Sequence, residues 1–184
     1  MANKVSFSGE HGSLEDIEEY YVDSENALNC YFEPSGAGRM IPAARFIGYT
    51  NEEISNELKS RKELLDRMCS LEILAAIEAK FRIDYLVRSQ NKKKDDLSKA
   101  FREIYRTKKN KASLTDDIIQ TWKSKYPQHK TRLDNLGKAL DYRNWLAHGR
   151  YWMPKKSPHI SKYDYLTIYM LASDILGNMD IHEN

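Results

Sequence analysis

The segment 143–152, RNWLAHGRYW, concentrates side chains that can bind a phosphate and move protons. Arginine stays charged and offers a planar fork of donors that matches phosphate oxygens. Histidine changes its charge near neutral pH and can act as a general acid or base. RNA carries its own nucleophile, the 2′-hydroxyl group. Arg143, Asn144 and His148 therefore have the chemistry needed to cleave an RNA phosphodiester.

The predicted helix that carries this segment places Arg143 on its apolar side. A helical wheel over 129–148 groups six residues in one arc that also contains Arg143: Leu133, Leu136, Ala139, Leu140, Leu146 and Ala147. A guanidinium group rarely faces apolar surroundings unless an anion lies nearby, either a buried carboxylate or a phosphate. Asn144 and His148 lie four residues apart on one face. Gly149 is a typical C-cap residue, which puts His148 in the last turn.

Each residue of this motif also has a purely structural explanation. Arg143 could pair with a carboxylate such as Asp141 or with one from the longest predicted helix. Asn144 could bond a backbone group, and His148 could be a cation favoured at a helix C-terminus.

Four aromatic and basic neighbours surround the motif. Tyr142 and Trp145 point away from the apolar arc, and we expect both to pack against another element rather than to stack on a ligand. Arg150 and Tyr151 follow the histidine and are candidate auxiliary contacts to a phosphate or an RNA backbone.

Hydrophobic periodicity predicts an all-α chain. Ser13 can cap a first helix that ends near Pro34, and Thr50 with Glu53 has capping-box spacing at the start of a long helix reaching Tyr85. Four further helices are predicted, at about 97–105, 113–126, 129–148 and 162–176. No stretch alternates with period 2 for long enough to be a strand. We therefore predict one domain over 1–184, a bundle of five to six helices with two long ones, and a loosely packed N-terminus at 1–12.

The composition is that of a charge-rich globular domain. The chain has 184 residues, 41% of them hydrophobic, a formal net charge of +2 and a mean hydropathy of -0.71. No apolar run approaches the roughly 20 residues that span a membrane. Residues 1–16 lack the features of a secretory signal, and Cys30 and Cys69 have neither CxxC nor metal-ligand spacing. We predict a cytoplasmic protein with reduced thiols and no membrane association.

Charge is unevenly distributed along the chain. Every formally charged residue in 10–33 is acidic, whereas the segment 88–111, here called the basic segment, holds ten Lys or Arg. Such a field could hold a polyanion, and it could equally be a solvated helix face. The acidic segment could also cover the basic one. The residues predicted to track RNA are Lys92, Lys93, Lys94, Lys108, Lys109 and Lys111.

The spacing of the motif resembles a known family pattern. Arg143-Asn144-Trp-Leu-Ala-His148 matches the R-x4-6-H motif of the HEPN superfamily of helical domains, with a polar residue directly after the arginine. The motif also lies on a late helix of an all-α chain of suitable length. Tyr151 departs from the pattern of one toxin branch, in which the tyrosine lies two residues beyond the histidine rather than three.

The resemblance implies a homodimer whose two motifs face one another, and a metal-independent endoribonuclease that acts as a toxin or in abortive infection and defence. It also implies an antitoxin or another partner protein. In this scheme His148 transfers protons, Arg143 holds the scissile phosphate and Asn144 orients the imidazole or the phosphate. The product would carry a 2′,3′-cyclic phosphate. Some members of the superfamily only bind or act as scaffolds.

No metal and no cofactor is predicted. The carboxylates are spread at helix-surface spacing rather than clustered as in two-metal nucleases. His11, His129, His159 and His182 have no ligand spacing with each other or with the cysteines.

Two other functions remain open at this point. The chain could be a non-catalytic helical module that binds RNA, a nucleotide or a partner protein through the same cleft. It could also be an oligomerisation domain in which Arg143 and His148 make polar contacts at a dimer interface. A nuclease needs both side chains open to solvent, whereas a scaffold would bury both with carboxylate partners.

Overall fold

The computed structural model describes residues 11–32, 43–91, 93–151 and 163–182. These residues form helices, turns and short connections, and none of them is in a strand. The prediction of an all-α bundle with five to six helices is confirmed. Of the N-terminus predicted to be loosely packed, residues 1–10 lie outside the described residues.

The first two α-helices begin where their capping residues predict. The first, α1, spans Leu14–Phe32, and the Ser13 hydroxyl accepts a hydrogen bond from the Asp16 backbone N–H at 3.0 Å. The second, α2, spans Asn51–Gln90 and is 40 residues long. Its capping box is complete: Thr50 accepts from the Glu53 N–H at 3.2 Å, and the Glu53 carboxylate accepts from the Thr50 N–H at 2.7 Å.

The remaining helices follow the predicted order. They are α3 (Asp96–Lys108), α4 (Gln120–Lys125), α5 (Lys130–Ala147) and α6 (Tyr165–Asn178). Short 3-10 turns occupy Ala43–Phe46, Lys109–Lys111 and Pro127–His129. A π-helix, Leu114–Ile119, leads directly into α4, so the single helix predicted between 113 and 126 begins with a wider turn. Such turns are rare and often lie at functional sites.

The core is built around α2. This helix contacts α1, α3, α5, α6 and the π-helix. Its inner face carries Ile73, Ile77, Phe81 and Tyr85, each 2% exposed or less. The aromatic rings meet edge to face, as Phe81 does with Trp122 at a centroid distance of 6.3 Å.

A buried ionic cluster closes the end of the bundle. Arg88 of α2 is 2% exposed, and its Nε donates to Asp84, which is 0% exposed, at 2.6 Å. Arg88 Nη2 donates to the Asp180 backbone carbonyl at 2.6 Å, and Nη1 reaches Asp95 at 3.3 Å. Asp84 also accepts from the Trp122 indole N–H at 3.2 Å. Arg88 is therefore part of the core and not of a basic surface.

No described helix is long and apolar enough to cross a membrane. The described cysteines, Cys30 and Cys69, lie on α1 and α2 and form no disulfide with each other.

Candidate phosphate-binding site at the end of helix α5

The C-terminal turn of α5 presents His148 at the surface. The helix ends at Ala147, and His148 is the exposed cap residue. Gly149 follows with φ +81° and Arg150 with φ +61°. The Gly149 N–H donates to the Leu146 carbonyl at 3.4 Å, and the Arg150 N–H donates to the Trp145 carbonyl at 3.0 Å. This pair of bonds is a Schellman motif, and it fixes the direction in which the chain leaves His148.

Replacing Gly149 with alanine is expected to lower the free energy of unfolding by about 1 kcal/mol, because a residue with a Cβ atom is strained at positive φ. Among the described residues, no atom outside its immediate neighbours lies within 4 Å of the Cβ position, so the strain comes from the backbone. The same change in Gly177, which lies in α6 without positive φ, should not destabilise the fold. Urea denaturation of both variants checks this; equal effects would contradict the role of the left-handed turn.

Arg143 lies five residues before His148, about 1.4 helical turns, and faces α2. Its Nη2 forms an ion pair with the Glu78 carboxylate, and its Nη1 donates to the Asn144 side-chain oxygen at 3.1 Å. Its Nε is buried and has no hydrogen-bond partner among the residues whose placement is described. The apolar surroundings of Arg143 required an anion nearby. In the structure this anion is the Glu78 carboxylate of α2, and a carboxylate of the longest helix was one of the alternatives that the sequence left open.

Glu78 is shared between two arginines. Its second oxygen accepts from Arg82 Nε at 2.8 Å, and Arg82 Nη1 donates to the Ala112 carbonyl at 3.3 Å, just before the π-helix. Burial lowers the pKa of Arg143, because removing the guanidinium from water disfavours its charged form. An arginine nevertheless remains protonated at physiological pH.

The three charged side chains line a small pocket that opens to solvent. Its volume is about 230 Å³, and its lining residues are Glu78, Arg82, Leu114, Thr115, Leu140, Arg143 and Asn144. Two cations and one carboxylate give it a net positive charge. It lies where α2, α5 and the first turn of the π-helix meet. We call it the Arg143 pocket.

The predicted auxiliary residues lie at the surface beyond this pocket. Asn144 is exposed and lines the pocket directly. Arg150 is exposed, and Tyr151 is 84% exposed. The structure therefore groups Arg143 with Asn144, and it places His148, Arg150 and Tyr151 along the turn that follows.

Tyr142 and Trp145 pack against the protein, as predicted. Tyr142 is 2% exposed and stacks on Tyr163 with ring centroids 5.0 Å apart. Trp145 is half-buried and lies 5.9 Å from Tyr142. Near its C-terminal end, α5 consequently buries Tyr142, which was expected to lie off the apolar arc, and exposes Ala147, which was expected to lie in it.

The described lysines that were predicted to track RNA lie at the two ends of α3. Lys93 and Lys94 precede α3, whereas Lys108 ends it, about 20 Å away at 1.5 Å per residue. Lys93 contacts the His182 ring at 2.8 Å, and Lys108 pairs with Asp117 at 2.6 Å. Lys109, Lys111 and Lys94 are exposed, and Lys92 lies outside the described residues.

The later end of the basic segment adjoins the Arg143 pocket. Lys111 immediately precedes Ala112, whose carbonyl accepts from Arg82. The acidic helix α1 makes these contacts with residues outside the basic segment: Glu25 contacts Lys62 of α2 at 3.1 Å, and Glu18 accepts from Tyr169 of α6 at 2.5 Å.

The sequence did not single out Glu78 and Arg82. Their spacing of four residues is the usual signal of an ion pair on a helix surface, and many such pairs occur along α2. Nothing in that signal indicates a third, distant partner. Within the described ranges, no group of three His, Cys, Asp or Glu side chains is placed to hold a metal ion.

Comparisons with protein-family models, with curated proteins and with solved structures found no match for this chain.

Proposed function

We propose that the chain is a metal-independent endoribonuclease of the HEPN type, acting as a toxin or a defence component. The observation that carries the proposal is the placement of Arg143, Asn144 and His148 at the C-terminal end of α5, where Asn144 and His148 are exposed and Arg143 is half-buried. Arg143 and Asn144 line a positively charged pocket, and His148 lies about one helical turn beyond Asn144, at the surface.

The proposed reaction uses the RNA itself as the nucleophile. His148 takes the proton from the 2′-hydroxyl, and the oxygen attacks the neighbouring phosphorus. Arg143 stabilises the extra negative charge on the phosphoryl oxygens. The bond to the 5′-oxygen breaks, and that oxygen takes up a proton. The products are a 2′,3′-cyclic phosphate and a 5′-hydroxyl end.

Two chains would divide the acid and base roles. Each chain has one motif histidine, and the reaction needs one group to remove a proton and another to supply one. A homodimer with facing motifs brings two His148 side chains to one phosphodiester. Arg150 and Tyr151 then lie where they can contact the RNA backbone.

Replacing His148 with alanine is expected to reduce cleavage about 10²–10⁴-fold, the usual contribution of a general acid or base. End-labelled single-stranded and structured RNA is incubated with the purified protein in EDTA, and the cleaved ends are identified. His129→Ala is the matched control, because it removes a half-buried histidine at the other end of α5. Intact RNA with the wild type, or equal cleavage by all three proteins, would overturn the proposal.

A second candidate function is a helical module that binds RNA or a partner protein without turnover. The ion pair between Arg143 and Glu78 favours it, because a carboxylate already engages the guanidinium group. Such a module would bind RNA with the same affinity after His148→Ala and would leave the wild-type substrate uncut.

A further inference from the structure

The ion pair between Arg143 and Glu78 also suggests how access of a ligand to the Arg143 pocket is controlled. Glu78 is only 16% exposed and lies between Arg143 and Arg82. One carboxylate balances one of the two guanidinium groups, so the pocket keeps an unbalanced positive charge. Planar guanidinium groups bind phosphate oxygens in the same two-point geometry that they use for carboxylates.

We propose that the Glu78 carboxylate occupies the place of an RNA phosphate, and that Arg82 and Arg143 together bind that phosphate once Glu78 moves aside. The proposal rests on the proposed function, since it names the group that regulates access to the same site. It adds Arg82 as a phosphate ligand and Glu78 as an internal competitor.

The size of the Arg143 pocket fits this ligand. Its volume of about 230 Å³ lies below the roughly 300–1,000 Å³ typical of pockets that enclose a small molecule. A phosphate group of an RNA strand fits such a space, while the sugar and base stay outside it. Asn144 and Thr115 line the pocket and supply uncharged donors to further phosphate oxygens.

In this proposal Glu78 moves aside by rotation of its side chain, and the fold stays unchanged. Its side chain has three rotatable bonds, and α2 holds its backbone in place on both sides. Arg82 lies one turn further along the same helix and is 42% exposed, so it can follow a ligand at the mouth of the pocket. A phosphate and the Glu78 carboxylate repel one another at contact distance, so binding of one disfavours the other.

Neutralising Glu78 is expected to tighten RNA binding. The probe is a fluorescein-labelled single-stranded 2′-O-methyl RNA, which lacks the nucleophile and cannot be cut. By fluorescence anisotropy, Glu78→Gln should bind it about tenfold more tightly than the wild type. Glu63→Gln is the matched control, because it removes an exposed carboxylate about 22 Å earlier on α2, and its affinity should stay within about twofold.

Replacing Arg82 tests the proposal independently of how Glu78→Gln folds. Arg82→Gln should bind the same probe about tenfold more weakly, since it removes one of the two phosphate ligands. Arg61→Gln removes another exposed arginine of α2 that pairs with a glutamate four residues earlier, and it should have a much smaller effect. Equal losses in Arg82→Gln and Arg61→Gln would overturn the role of Arg82.

The outcomes separate this inference from the proposed function. Tighter binding by Glu78→Gln, together with no cleavage by the wild type, would support the phosphate site and reject the nuclease. Cleavage by the wild type, with unchanged or weaker binding by folded Glu78→Gln, would reject the competitor role of Glu78 and keep the nuclease. If millimolar inorganic phosphate protects the pocket variants against unfolding but the RNA probe binds all of them equally, the ligand is free phosphate and the proposal fails.

Discussion

Replacing Arg88 with methionine is expected to lower the free energy of unfolding by about 3–5 kcal/mol, the usual cost of removing one partner of a buried ion pair. Asp84 is 0% exposed, and methionine fills a similar volume but leaves this carboxylate without its cation. The change also removes the bond from Arg88 to the Asp180 carbonyl, which ties the segment after α6 to α2. Urea denaturation followed by circular dichroism measures the loss.

A double variant distinguishes the destabilisation caused by an unpaired buried charge from the destabilisation caused by lost packing. Asp84→Asn combined with Arg88→Met removes both charges, and it should be more stable than Arg88→Met alone by at least about 1 kcal/mol, because no unpaired carboxylate remains in the core. A double variant less stable than Arg88→Met would show that the methionine itself is poorly accommodated, and it would contradict the electrostatic explanation.

The penalty of Arg88→Met is also expected to depend on pH. Burial raises the pKa of Asp84 in the wild type, while the His182 backbone N–H and Arg88 act in the opposite direction. Without Arg88 this pKa rises further above the value of about 3.9 in an unfolded chain. The destabilisation is therefore fully present above the raised pKa and shrinks as the pH falls through it, because a proton then replaces the missing cation.

Local sequence signals were sufficient to predict where several of the helices begin and end. Ser13, Thr50 with Glu53 and Gly149 act on backbone groups within a few residues, so their spacing determines the helix ends directly. The π-helix after Ser113 was not anticipated. The sequence there has an ordinary helical pattern, and the wider turn involves a backbone bond from the Ile118 N–H to the Ser113 carbonyl at 3.1 Å.

Contacts between distant charged residues could not be predicted in the same way. In the sequence, Arg88 is one of the ten cations of the basic segment. In the structure, three separate parts of the chain enclose it: α2, the start of α3 and the residues after α6. Likewise, the apolar arc around Arg143 required an anion, but only the packing of α5 against α2 identifies it as Glu78.

The long helix α2 gives these two arginine sites different roles. Near its end, Asp84 and Arg88 lie in the core and are enclosed on all sides. One to two turns earlier, Glu78 and Arg82 lie at the mouth of a pocket, with 16% and 42% of their side chains exposed. An ion pair contributes less to stability and exchanges its partners more readily the more water reaches it, whereas a fully buried pair cannot lose a partner without a large cost. The partly exposed site is therefore the one at which we propose that a ligand binds, and the buried one holds the fold.

Replacing Arg143 with alanine is expected to reduce RNA cleavage about 10²–10³-fold, the usual cost of losing one group that stabilises transition-state charge. The same change should lower the free energy of unfolding by only about 1 kcal/mol or less, because the ion pair with Glu78 is partly exposed and Glu78 keeps Arg82 as a partner. Cleavage in EDTA and urea denaturation are measured on the same preparations.

Two further variants distinguish a catalytic Arg143 from a structural one. Arg143→Lys keeps the positive charge but loses the planar fork, so its cleavage should remain well below that of the wild type. Arg132→Ala is the matched control, because it removes another arginine of α5 that pairs with a carboxylate, Asp174, at 2.6 Å. This control should lose a similar amount of stability and keep its activity. If Arg143→Ala instead unfolded easily and cleaved RNA normally, Arg143 would serve the packing of α5 on α2, and the site of catalysis would have to lie elsewhere.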